Sequence, residues 1–170
     1  TMTDLTVNYK GFLEKYFPEL HELNKKLKQA DNILETEDNP IKLMYRHTRK
    51  KNSPFDYVEL VFSGYTKRPL LFRIRLGKKD PDVVDNIIRK YGKPDVIEWD
   101  ENVAYGKKGR SLYWTRSRDI FILSIIPDRF DNPEYHITIC YVNNMDQDLR
   151  IRQKKKKESQ DGTGAVKNAF

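Results

Sequence analysis

DPDVVDNIIRKYGKPDVIEWDENVAYGKKGRSLYWTRSRDIFILSIIP, residues Asp80–Pro127, reads as one short helix followed by three strands. Asp80 is a capping residue, Pro81 fits the first helical position, where no N–H is needed, and Asp82 suits the positive end of the helix dipole. Val83, Val84, Ile87, Ile88 and Tyr91 recur at helical spacing, with Asp85, Asn86, Arg89 and Lys90 on the other side, so one face is built for burial. Gly92 supplies the left-handed residue that ends the helix, and Pro94 forbids its continuation. Beyond it Val96, Ile97 and Trp99 form one strand, Ser111 to Arg116 a second and Ile120 to Ile126 a third. The third is apolar at nearly every position, which predicts a central strand covered on both faces.

The pattern before Asp80 is also β. Leu70, Phe72, Ile74 and Leu76 alternate with Arg73 and Arg75, which predicts a strand with its arginines turned outward. Phe55 to Phe62 is a second strand, joined to the first by a hairpin over Ser63 to Pro69. Ile41, Leu43, Tyr45 and His47 alternate with Lys42, Arg46 and Thr48, and Met44 breaks that alternation. Upstream, Asn8 to Leu34 is helical. Tyr9, Phe12, Leu13 and Tyr16 form one apolar stripe, and Leu20, Leu23, Leu27, Ala30 and Leu34 form another, with a break at Pro18.

Downstream, Tyr135, Ile137, Ile139 and Tyr141 form the last strand. From Asn143 onward apolar residues thin out, and Lys154 to Lys157 lead into a polar, Gly-containing end that predicts a mobile segment. The expected organisation is an N-terminal helical segment (1–40), an α+β sheet domain (41–142) and a flexible basic tail (143–170). The fold class is α+β: N-terminal helices, then an antiparallel sheet with one short helix packed on a face, and a disordered basic C-terminal tail.

The net charge of +7 over 170 residues invites a nucleic-acid reading. From Arg150 to the end there are seven basic residues against two acidic ones, so most of the excess belongs to the tail. No run approaches the roughly 20 apolar residues of a membrane span, and no signal peptide opens the chain, so a soluble protein is expected. Thr1 before Met2 fits either an added residue ahead of an initiator, implying the cytoplasm, or a start after a removed leader, implying periplasm or envelope. The compartment and the oligomeric state stay open. Cys140 is the single cysteine, which excludes an internal disulfide framework and a cysteine-rich zinc site.

No catalytic or metal-binding constellation has the required spacing, and no cofactor motif occurs. Gly77-Lys78-Lys79 and Gly106-Lys107-Lys108-Gly109 lack the spacing of a phosphate-binding loop and read as turns. His21, His47 and His136 have no ligand-spaced partner. An enzyme would require a cleft gathering His47 or His136 with a carboxylate. The candidate partner-binding set is Tyr105, Tyr113, Trp114, Arg116 and Arg118, since aromatics interleaved with arginine on a sheet can stack on bases or dock a protein. The candidate anion-binding set is Arg150, Arg152, Lys154, Lys155, Lys156 and Lys157.

Gly92-Lys93-Pro94-Asp95, Trp99 and Tyr113-Trp114 ahead of Phe121 to Ile126 give an order that resembles the small outer-membrane lipoprotein domains of the SmpA/OmlA type, over about residues 80–126. The resemblance implies an interaction scaffold, not an enzyme. No lipid-attachment cysteine stands near Thr1, extra strands precede the helix and a lysine-rich segment follows it. The favoured reading is a non-enzymatic binding or scaffolding module whose partner is another protein. The alternative is nucleic-acid binding through the aromatic/arginine surface and the basic tail, and a small hydrolase comes third.

Overall fold

The computed structural model describes residues 12–31, 40–46, 55–77, 82–99 and 108–169. In chain order the elements are α1 (Phe12–Tyr16), α2 (Pro18–Asp31), β1 (Ile41–Arg46), β2 (Phe55–Phe62), β3 (Pro69–Leu76), α3 (Val83–Tyr91), β4 (Asp95–Glu98), β5 (Arg110–Arg116), β6 (Asp119–Pro127), β7 (Pro133–Cys140) and α4 (Val142–Ala169). The fold is α+β. Its strands form one antiparallel sheet in the order β1-β2-β3-β7-β6-β5-β4. The middle strand is therefore β7, and β6, expected to be central, lies beside it between β7 and β5. Its coverage on both faces is as expected: Ile122 and Leu123, neighbours in sequence and so on opposite faces, are both fully buried.

Two apolar layers sandwich the sheet. On one face Phe17, Leu20 and Leu23 of the α1–α2 region and Val142, Met145 and Leu149 of α4 pack with Ile97, Ile122, Ile126 and Cys140. On the other, Val83, Val84, Ile87 and Ile88 of α3 pack against Leu112, Leu123 and Tyr135. The break at Pro18 is present, with Phe17 buried between α1 and α2. Asp80 and Pro81 lie outside the described residues. Asp82 occupies the N-cap position of α3 without a side-chain cap hydrogen bond. Gly92 ends α3 at φ 87°, its N–H bonded to Ile88 O at 2.7 Å. Gly109 serves a close approach, since a Cβ there would fall 2.7 Å from the buried Trp99 ring.

The expected disordered tail is instead α4, a 28-residue helix from Val142 to Ala169. Val142, Met145 and Leu149, spaced three and four apart, put three apolar side chains on one helical face, and all are buried. Polar groups then fix the helix to two turns. Ser63 Oγ donates to Asp148 Oδ1 at 2.5 Å, and Arg152 Nε donates to Asp148 Oδ2 at 2.6 Å, with Asp148 fully buried. Asn144 Nδ2 donates to Pro69 O at 2.9 Å. At the β5–β6 turn Arg118 reaches Asp146 at 2.6 Å and Asn143 Oδ1 at 3.0 Å, and Asn143 Nδ2 donates to Ser117 O.

Arg73 and Arg75 do not point to open solvent as expected. The register aligns Leu71 with Cys140, Arg73 with Thr138 and Arg75 with His136, so both arginines lie on the face that carries α2 and α4. Alternation separates two faces of a strand, but here helices cover both faces of the sheet.

Candidate binding site at the sheet edge

Tyr113 and Trp114, adjacent on β5, project to opposite faces and form no common platform. Tyr113 meets Phe17 edge-on at 5.1 Å beneath the α1–α2 layer. Trp114 Nε1 donates to Gly92 O at 2.8 Å, and its ring packs against Phe121 at 5.5 Å, holding the end of α3 to the sheet. Tyr91 stacks on Phe121 at 5.2 Å. These rings are used in joining helices to the sheet. Arg116 is exposed and, with Lys90, Lys93 and Asp95, lines an open groove of about 450 Å³ beside Tyr113 and Trp114. Arg118 belongs to the α4 contact, and Tyr105 lies outside the described residues.

The anion-binding set is also divided. Arg152 is committed to Asp148, with only 9% of its side chain exposed, and both Arg152 and Lys155 lie over the Tyr65 ring. Arg150, Lys154, Lys156 and Lys157 are exposed on α4. Consecutive helical residues turn about 100° each, so Lys154 to Lys157 surround the helix instead of forming one basic face.

His47 lies outside the described residues, and His21 is half-buried on α2. His136 does sit with a carboxylate, its Nε2 3.3 Å from Glu134 Oε2. The hydrogen bond from His136 holds the Glu134 carboxyl below the ordinary glutamate value against the opposing effect of burial. Cys140 shares that sheet face, but burial pushes its thiol up to about 12, which removes it as a nucleophile near neutrality. Among the described residues no hydroxyl or thiol is hydrogen-bonded to the His136 ring, and no group of three or more His, Cys, Asp or Glu could hold a metal ion.

The two edges of the sheet differ. β4 has only four residues, with exposed Asp95 and Glu98 at its ends, and Tyr16 Oη lies 3.5 Å from Glu98 O. A short edge flanked by charge is a protected one. β1 is longer and carries exposed apolar side chains on both faces: Ile41 (38%), Leu43 (55%) and Met44 (52%), with Phe55 (38%) beginning the neighbouring β2. Leu43, Leu60, Phe72 and Ile139 lie in one cross-strand row. The sequence signal for this edge was Met44, which breaks the alternation and leaves apolar side chains on each face of the strand.

β1 is held to β2 by charge. Glu59 of β2 is buried, accepts from Tyr57 Oη at 2.7 Å, and pairs with Lys42 Nζ at 3.4 Å and Arg73 NH1 at 3.5 Å. Burial alone would raise this carboxyl, but the Tyr57 hydrogen bond and the Arg73 and Lys42 charges bring it below the ordinary value. A depressed folded-state pKa stabilises the protein above the unfolded value, and that contribution is lost as pH falls through the folded pKa. The acid limb of the stability curve is therefore expected to flatten in Glu59→Gln, read as urea midpoints across an acid pH series. An unchanged acid slope would show that Glu59 is not among the groups responsible.

No family model matches the chain, and no match was found among curated proteins or solved structures.

Proposed function

We propose that the protein is a non-enzymatic binding module that docks an extended segment of another protein along β1. The carrying observation is the exposure of Ile41, Leu43 and Met44 on a strand that, among the described residues, ends the sheet with β2 as its one neighbour. Main-chain pairing with an added strand supplies affinity, and apolar contacts on both faces of β1 supply selectivity. The opposite edge, β4, is shorter and flanked by Asp95 and Glu98, and exposes one apolar side chain, Val96, against three on β1. The SmpA/OmlA resemblance implies the same class of activity, an interaction scaffold.

A nucleic-acid partner has less support. Lys90, Lys93 and Arg116 do line an aromatic groove, but Trp114 and Tyr91 are packed against Phe121, and Asp95 stands among the cations.

The test is affinity capture from the source cell with the wild-type chain and with the variant Leu43→Lys/Met44→Lys, each with and without nuclease. Both side chains are exposed, so the variant is expected to fold normally. Proteins retained by the wild type should fall by about tenfold or more on the variant, because burying two such side chains is worth several kcal/mol. Nuclease should have no effect. Equal retention by both chains, or retention abolished by nuclease, would reject the docking edge.

A further inference from the structure

The two faces of β1 differ in chemistry. Ile41, Leu43 and Tyr45 share one face, on which Leu43 continues the cross-strand row through Leu60, Phe72 and Ile139. Lys42, Met44 and Arg46 share the other. A strand added beside β1 would set its side chains directly against both groups, at Cβ separations of about 4.5–5.5 Å. One of its faces would meet apolar residues, and the other would meet two cations with a methionine between them.

The fold leaves this strand with an excess of positive charge. Glu59, the carboxylate paired with Lys42, is shared with Arg73, so two cations stand against one anion. Glu59 is buried on the β2 side, whereas the Lys42 side chain is 54% exposed at the edge. Arg46 adds a charge on the same face, and Arg49, Lys50 and Lys51 follow in the chain, with no acidic residue between Ile41 and Phe55. The acidic residues nearest upstream, Glu35, Glu37 and Asp38, precede the strand, so the positive charge is concentrated from Lys42 onward.

Opposite charges directly across two strands stabilise the pairing, and like charges oppose it. Complementary charge also speeds encounter and suppresses wrong partners. A segment that places carboxylates against Lys42 and Arg46 is therefore favoured over a neutral one, and a basic one is rejected. The apolar face of β1 asks for apolar residues at the alternate positions.

We infer that the segment docked on β1 is an extended acidic one, in which apolar residues facing Ile41, Leu43 and Tyr45 alternate with aspartate or glutamate facing Lys42 and Arg46. The assignment rests on the docking edge proposed above and gives its partner a chemical class.

Fluorescence anisotropy of the full chain with three labelled ten-residue peptides tests it, the peptides alternating Val with Glu, with Ser or with Lys. The Val/Glu peptide is expected to bind about tenfold tighter than Val/Ser, the combined effect of two or three charge pairs, and Val/Lys is expected to bind weakest. The advantage of Val/Glu should shrink between about 50 mM and 300 mM salt. Lys42→Gln should weaken Val/Glu binding severalfold and leave Val/Ser unchanged, with circular dichroism confirming the fold. Should Lys42→Gln fail to fold, the peptide series on the wild type still decides. Leu43→Lys/Met44→Lys separates docking from general attraction: it adds two positive charges, yet docking along the edge predicts that it loses the Val/Glu peptide. Equal binding of Val/Glu and Val/Ser that disappears in this double variant would overturn the acidic preference and leave the docking edge standing. Tighter Val/Glu binding by the double variant would reduce the preference to charge attraction and overturn the assignment. No binding of any of the three peptides would overturn the assignment and the docking edge together.

Discussion

A chain ending at Val142 is expected to lose its cooperative unfolding transition, whereas one ending at Lys157 keeps it. The shorter chain lacks Met145, Asp148 and Leu149, all buried, and so uncovers Leu20, Leu23 and Cys140 of the same core. Truncating a single buried Leu or Met to Ala costs about 2–5 kcal/mol. Two such losses with the helix itself match the roughly 5–15 kcal/mol that holds a typical domain together. Beyond Lys157, Glu158 to Gly162 are exposed, so removing them is expected to cost little by comparison. Thermal unfolding followed by circular dichroism compares the two chains. A Val142-terminated chain that melts within a few degrees of the full protein would show that α4 is dispensable.

The second large effect is expected at Asp148. Its carboxylate is fully buried between the Ser63 hydroxyl and Arg152, and Ser63 Oγ also accepts from the N–H groups of Tyr65 and Thr66, so one side chain ties α4 to the β2–β3 turn. In Asp148→Ala the mostly buried Arg152 guanidinium loses its carboxylate partner, a loss that costs about 3–5 kcal/mol. For a chain of this size that corresponds to a melting point lower by roughly 10 °C. Arg118→Ala, which breaks the partly exposed pair with Asp146, is expected to cost less than about 1 kcal/mol. Urea titration of both variants reads the difference. Equal, small losses at both sites would mean that the buried position of Asp148 carries no special weight.

Most of the sheet was legible because its signals are local. Each of the seven strands lies where alternating or continuous apolar residues predict one, and α3 has its stripe, its Gly92 stop and its Pro94 barrier within a dozen residues. The failures have a common physical source in contacts distant in sequence. Val142, Met145 and Leu149 make a stripe of only three, set among Asn, Asp and Gln, and Asp148 reads as a solvent residue until Ser63, 85 positions away, is placed beside it. The lysine run then suggested a disordered tail, whereas the helix it follows is anchored by those few residues.

The candidate aromatic set shows a different limit. That Tyr113 and Trp114 must face opposite ways was already implied by their adjacency on a strand. That both faces bear helices, and so occupy both rings, was not. Arg73 and Arg75 were misread for the same reason: a period of two says which residues share a face and nothing about what covers it. The β1 edge depends on strand order, which the sequence does not state.

Residue-resolved amide exchange on the isolated protein measures the docking edge and the anchored helix together. Slow exchange is expected in β6, β7 and Met145–Leu149, with fast exchange at alternate amides of Ile41–Arg46, whose outward N–H groups have no strand beside them among the described residues. Uniform protection along Ile41–Arg46 in the free protein would mean that the edge is already occupied, and would contradict its role as an open docking strand.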